Sequence, residues 1–153
     1  MTFLPEQMPL IKLNTGQQMP QLGLGVYKVG QTEAVDLIRA AIVKGYRRVD
    51  TAALYGNEAE VGEGIRTSGV AREDLFVTTK IWNDRQGYDS ALEAIDESLT
   101  RLDIDYVDLL LVHWPCPSKT SSSRPGRLFR RRWRAGRFAA LASRTSTRTT
   151  SKS

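Results

Sequence analysis

The 153-residue sequence has one cysteine and one histidine. A lone Cys116 excludes an internal disulfide, and without a Cys/His cluster no metal-ligand spacing exists, so no metal site is expected. No apolar run approaches the ~20 residues that cross a bilayer, which excludes a membrane-spanning helix. The N-terminus, Met1 to Gln7, has no charged segment followed by an apolar stretch and does not read as a signal peptide. These absences predict a soluble protein in a reducing, cytoplasmic setting. The most informative absence is of acid: no carboxylate side chain follows Asp108. Residues 1–118 hold 11 basic and 17 acidic side chains, a net charge of −6, whereas 119–153 hold 11 basic and none acidic, +11. The overall charge of +5 and pI near 9.6 therefore belong to the tail alone. They give no chain-wide reason to expect a nucleic-acid partner.

Within the first 118 residues, apolar segments alternate in type. Leu10–Leu13 and Gln21–Leu24 flank Asn14-Thr15-Gly16, a turn signal that predicts a hairpin or strand pair. Thr32 reads as a helix N-cap, with Val35, Ile38 and Ile42 at helical spacing and Gly45 as the stop. Arg48–Asp50 reads as a short strand. Asn57 begins a second helix ending near Gly69, and Leu75–Ile81 is β-rich. A third helix is predicted from Tyr88 to Leu102, and Tyr106–His113 is a nearly continuous apolar strand. Strands apolar on both faces, alternating with helices at a spacing of about 30 residues, predict an α/β fold with a parallel sheet. After Ser118 the pattern stops. The Arg/Ser/Thr-rich tail, 119–153, is expected to be disordered, with Phe138–Leu141 its one candidate helix fragment.

Four polar residues fall where chemistry is expected. Asp50, Lys80 and His113 lie at or near the ends of successive strands, and Tyr55 in the loop after the first of these. The C-terminal strand ends of parallel α/β sheets form the active face. A phenol, with an ordinary pKa of about 10, is a poor proton donor at neutral pH, and a nearby ammonium favours its ionised form. A carboxylate can orient that ammonium, and an imidazole can hydrogen-bond a carbonyl oxygen. The set suits protonation of a carbonyl oxygen as hydride reaches its carbon. Each residue alone also has a plain structural reading: a solvated strand-end lysine, an Asp cap, a loop-anchoring tyrosine, a core histidine. Neither Gly23-Leu24-Gly25 nor Gly62-Glu63-Gly64 continues into a dinucleotide fingerprint, since Lys28 and Thr67 stand where glycine is required.

The stretch Gly45-Tyr46-Arg47-Arg48-Val49-Asp50-Thr51-Ala52, followed by Tyr55-Gly56-Asn57-Glu58 and Val61-Gly62, closely resembles the first signature of the aldo-keto reductases. Thr79-Lys80-Ile81-Trp82 is similar to that family's lysine strand, and Asp105 to Pro115 to its histidine strand. The resemblance covers about residues 8–117 and is greatest to the bacterial 2,5-diketo-D-gluconate reductase type. It implies the N-terminal half of a (β/α)8 TIM barrel, entered through an N-terminal hairpin, without a Rossmann domain. It implies NADPH as cofactor and a small carbonyl substrate. On matching positions it implies Tyr55 as general acid, Lys80 and Asp50 tuning it, and His113 orienting the carbonyl. Gly25, Val26 and Tyr27 match a loop bordering the nicotinamide and substrate, with Asp50 also on the cofactor side. Trp82 and Trp114 would line the substrate pocket with Tyr27 and His113, and read equally well as ordinary core aromatics. Arg48 departs from the residues usual at its position.

A complete barrel takes about 250 residues. Roughly four of eight strands are legible, and the family's nicotinamide-binding Ser-Asn pair and phosphate-binding loops are absent. We read the break near Ser118 as a frameshift, because acid-free Arg/Ser/Thr/Pro/Gly/Ala text is what GC-rich DNA gives out of frame. The expected function is NADPH-dependent reduction of aldehydes or ketones, diketo sugar acids among them, impaired in this chain. Two alternatives come from other classes: an inactive half-barrel or interaction fragment that pairs with another chain, and nucleic-acid binding through Arg130–Arg134 and Trp133. The open edge and uncovered apolar face of a half barrel predict self-association.

Overall fold

A computed structural model of the chain describes residues 8–114 and 138–143. Strands β1 (Leu10–Lys12) and β2 (Gln18–Pro20) pair antiparallel as a hairpin turned at Gly16, whose φ of 90° favours glycine. The barrel sheet begins one segment later, with β3 (Leu24–Gly25). It continues through α1 (Gln31–Val43), β4 (Arg48–Asp50), α2 (Glu58–Arg66), β5 (Phe76–Ile81), α3 (Tyr88–Leu102), β6 (Val107–Val112) and β7 (Phe138–Ser143). The five strands β3 to β7 lie in chain order, each parallel to the next.

Three expectations need correction. The segment Gln21–Leu24 is not the hairpin's second strand, which is Gln18–Pro20; Leu24 instead opens the parallel sheet, in register with Val49. Thr32 is not the N-cap of α1. Gly30 is, in extended conformation (φ −66°, ψ 150°), because the preceding loop is already fixed to the second helix. Phe138–Leu141 is no helix fragment but part of β7, in register with β6 from Val107↔Phe138 to Val112↔Ser143. The sheet edge it meets, β6, supplies backbone pairing that outweighs the local preference of an Ala/Leu-rich segment for helix. The disorder expected for the rest of 119–153 lies outside the described residues, as do Cys116 and the Arg130–Arg134 cluster.

Alternation along β5 divides the sheet's two faces. Val77 and Ile81 join Ile38 and Ile42 of α1, Val61 and Ile65 of α2, and Ile95, Leu99 and Leu102 of α3 in the main core. Phe76 faces the other way, packing with Leu109, Leu111 and the hairpin's Leu13 and Met19. The same alternation sends Thr78 and Lys80 with Phe76, so Lys80 projects opposite the helices. On the helix side Glu58 is 1% exposed. It accepts from Thr79 Oγ1 at 2.6 Å and pairs with Arg101 at 2.7 Å, tying α2 to β5 and α3. Helix α2 is close to both neighbours because Gly62 and Gly64 lack side chains. A Cβ at Gly62 would lie 1.8 Å from the Leu102 carbonyl oxygen, and one at Gly64 2.8 Å from Ile38.

Asp108 closes the end of the sheet where the strands begin. It accepts from Arg72 at 2.7 Å and the Val77 N–H at 2.9 Å, and the hairpin's Gln17 reaches it at 3.4 Å. Polar residues at the opposite end are thereby left to the site.

Candidate active site

The parallel register places the strand ends side by side. Gly25 lies opposite Asp50, Asp50 opposite Thr78, and Ile81 opposite Val112. Lys80 is one residue inside β5 and 7% exposed. Its ammonium donates to Asp50 Oδ1, to the Thr51 carbonyl at 2.8 Å and to Tyr55 Oη at 3.3 Å. All three donors of the ammonium thus have acceptors, which satisfies the nearly buried cation. Asp50 faces a second cation, Arg48 Nη2, 3.9 Å from its Oδ2. The Lys80 nitrogen also lies 4.9 Å from the centroid of the Tyr55 ring.

Tyr55 ends a single 3-10 turn, Ala53–Tyr55, closed by Gly56 in left-handed conformation (φ 68°). That turn is what lets the chain double back from β4, so that the phenol returns over the ammonium. His113 directly follows β6. Its N–H bonds the Ile81 carbonyl at 2.8 Å, continuing the ladder one residue past the strand. Its ring stands edge-on to Tyr55 at 5.9 Å and to Trp82 at 4.9 Å. Tyr55, Lys80, Asp50, His113 and Trp82 therefore form one contiguous group.

The remaining candidate residues fall around it unequally. Tyr27, 62% exposed, has its ring 5.0 Å from that of Tyr55. Gly25 adjoins Asp50, and a Cβ built on it meets nothing within 4 Å, so the space above this strand end is open. Val26 is wholly buried in the main core, and its N–H and carbonyl are bonded to Asp50 and Asn57. Trp114 has φ 54° and is 67% exposed; its backbone carbonyl accepts from Gln86 at 3.2 Å. Four residues of the site, Arg48, Thr51, Asn57 and Gln86, were not among the candidates read from the sequence. Arg48 shares Asp50's face of β4, a period-2 signal that was available. The Thr51 carbonyl and the Asn57 and Gln86 amides carry no such signal, since they act by holding loops and carbonyls in place. Among the described residues no group of three or more His, Cys, Asp or Glu side chains gathers as a metal site.

A parallel βα sheet with its polar side chains gathered beyond the strand C-termini is the working face of a barrel enzyme. Residues 21–140 match the Aldo/keto reductase family, and the chain belongs to that family. Glyoxal reductase of Bacillus subtilis (strain 168) is 54% identical over 110 residues, 71% of this chain and 40% of the relative. A solved structure assigned as a 2,5-diketo-D-gluconic acid reductase B superposes with a TM-score of 0.84 at 37% identity, covering 91% of this chain and 49% of that one. A Bombyx mori aldo-keto reductase in complex with NADP superposes with a TM-score of 0.79 at 34% identity, covering 90% of this chain and 50% of that one. The chain thus spans two fifths to one half of the length of these relatives, and its sheet is the N-terminal half of their (β/α)8 barrel.

Proposed function

We propose that this chain carries the proton-delivery side of an NADPH-dependent carbonyl reductase acting on a small aldehyde or ketone, with diketo sugar acids among the substrate classes. The observation that carries the reading is the Lys80 ammonium, shared between Asp50, the Thr51 carbonyl and the Tyr55 hydroxyl. A substrate carbonyl oxygen held between Tyr55 Oη and the His113 ring receives a hydrogen bond from each. Tyr55 gives up its proton as negative charge develops on that oxygen. The fixed charge of Lys80 stabilises the phenolate left behind, and Asp50 keeps the ammonium in place. His113 orients the carbonyl, and the Trp82 ring against it restricts its tilt. Tyr27, Trp82 and Trp114 form the substrate walls in this reading.

The open space at Gly25, beside Asp50, fits the flat nicotinamide end of NADPH. Gly25, Val26, Tyr27 and Asp50 would border it, Val26 through the backbone it fixes. When bound, the cofactor supplies a hydride to the carbonyl carbon. The test is NADPH oxidation by the full chain with a simple aldehyde or diketone, compared with Tyr55→Phe. A low carbonyl-dependent rate is expected, falling by a further ~10²–10⁴ in Tyr55→Phe, the usual share of a general acid. A measurable rate that is equal in both proteins rules the reading out. The half-length match also supports a second reading, an interaction fragment that pairs with a complementary half. Stable co-purification with such a half, without turnover, would favour it.

A further inference from the structure

Asn57 occupies the N-cap position of α2, yet its side chain makes no cap hydrogen bond. It is 1% exposed, and its amide is committed to three other partners. Nδ2 donates to the Val26 carbonyl at 3.0 Å and the Val29 carbonyl at 3.3 Å, while Oδ1 accepts from Thr51 Oγ1 at 3.0 Å. A second strap crosses the same gap on the outside, where Gln31 Nε2 donates to the Gly56 carbonyl at 2.8 Å. Both join the loop after β3, which carries Tyr27, to the loop after β4, which carries Tyr55.

The first of these loops needs holding. Lys28 adopts φ 62°, a left-handed conformation that non-glycine residues keep only where the surroundings impose it. Tyr27 is largely exposed, so packing alone does not fix its ring. The ring nevertheless lies 5.0 Å from Tyr55, tilted by 47°. The straps grip the loop on either side of Tyr27, at Val26 and at Val29 and Gln31.

We propose that Asn57 and Gln31 are positioning residues that set the spacing of Tyr27 from Tyr55, and with it the width of the substrate opening on that side. The consequence for substrates rests on the carbonyl-reductase reading, whereas the spacing itself is measurable without turnover. Rings this close couple to dityrosine when tyrosyl radicals are generated briefly by a ruthenium photosensitiser with persulfate as oxidant. Each ring loses one hydrogen atom, persulfate takes the two electrons, and a ring–ring C–C bond forms. The full chain is irradiated and the Tyr27–Tyr55 linked peptide quantified by mass spectrometry. Mixing isotopically labelled and unlabelled chain separates links within a chain from links between chains, and Tyr27→Phe gives the blank.

Gln31→Ala is expected to lower the intrachain yield about fivefold, the population shift that one net hydrogen bond supports. Gln31→Lys, which restores a donor of similar reach, should recover it. Asn57→Asp keeps the acceptor for Thr51 but loses both donors to the loop, and should lower the yield at least as much. Wild-type yield in Gln31→Ala overturns the proposal, and because Gln31 is exposed, that variant decides even where Asn57→Asp fails to fold. A strap-dependent yield beside a measurable NADPH oxidation that Tyr55→Phe leaves unchanged leaves the straps standing and removes the reductase reading instead.

Discussion

Lys80 shows how a single side chain becomes useful by being nearly buried. At 7% exposure an ammonium persists only if every donor is met, and the three acceptors around it are the carboxylate of Asp50, the carbonyl of Thr51 and the phenol of Tyr55, the groups the proposed chemistry uses. The stability of this spot should therefore depend on the pair and not on either member. Asp50→Asn leaves the cation without its counter-charge and should cost ~3 kcal/mol, the lower end of the range for broken buried pairs because the Asp50 side chain is 25% exposed. Adding Lys80→Met should restore part of that loss, since the unpaired charge goes with it. Urea unfolding of the two variants checks this, and a double variant less stable than Asp50→Asn would contradict it. Residues that act through charge or a ring at a strand end were legible in the sequence. Asp50, Tyr55, Lys80 and His113 are named by residue type and position, and they lie together. Asn57 was legible only as a helix start, because an amide that ties two loops together has the same sequence signature as one that caps a helix.

At the scale of elements, helix α2 is wedged between α1 and α3 by two glycines whose spacing mimics an incomplete dinucleotide fingerprint. Gly62→Ala brings a Cβ to 1.8 Å from a backbone oxygen of Leu102, which cannot rotate away. We expect a loss at or above the top of the ~1–3 kcal/mol range for overpacking. Gly30→Ala, where an added Cβ meets nothing within 4 Å, loses only the preference of an N-cap for glycine over alanine and should cost no more than about 1 kcal/mol. Thermal unfolding midpoints distinguish the two, and equal effects would contradict the packing account. The helices α1 to α3 and strands β5 and β6 were readable because their apolar periods are long or continuous, whereas β4, with one apolar residue of three, was placed by its position between two helices. The strand β3 was misplaced because two residues carry no period, and β7 because an Ala/Leu-rich segment favours helix until a sheet edge meets it. Tertiary pairing decides such short segments.

The described residues form a sheet of five parallel strands, and the chain spans about half the length of its structural relatives. Among the described residues β3 is paired on one side only, and Leu37 and Val43 of α1 are exposed at 40% and 65%. Sedimentation should therefore show concentration-dependent self-association, and a monomer across the accessible range would contradict that. The family match runs on to residue 140, past the break read near Ser118, and a frameshift there is tested by translating the other two frames downstream. A Gly-Val-Ser-Asn-Phe-like strand in one of them is expected, and its absence from both would end the idea. The central claim is that the described half holds a working proton donor, Tyr55 governed by Lys80. It is tested most directly in a chimera of residues 8–114 with the part of Bacillus subtilis glyoxal reductase that this chain does not match, assayed for carbonyl-dependent NADPH oxidation. The account predicts turnover that falls by ~10²–10⁴ in Tyr55→Phe while NADPH binding is retained. A folded chimera whose rate is unchanged by Tyr55→Phe would contradict it.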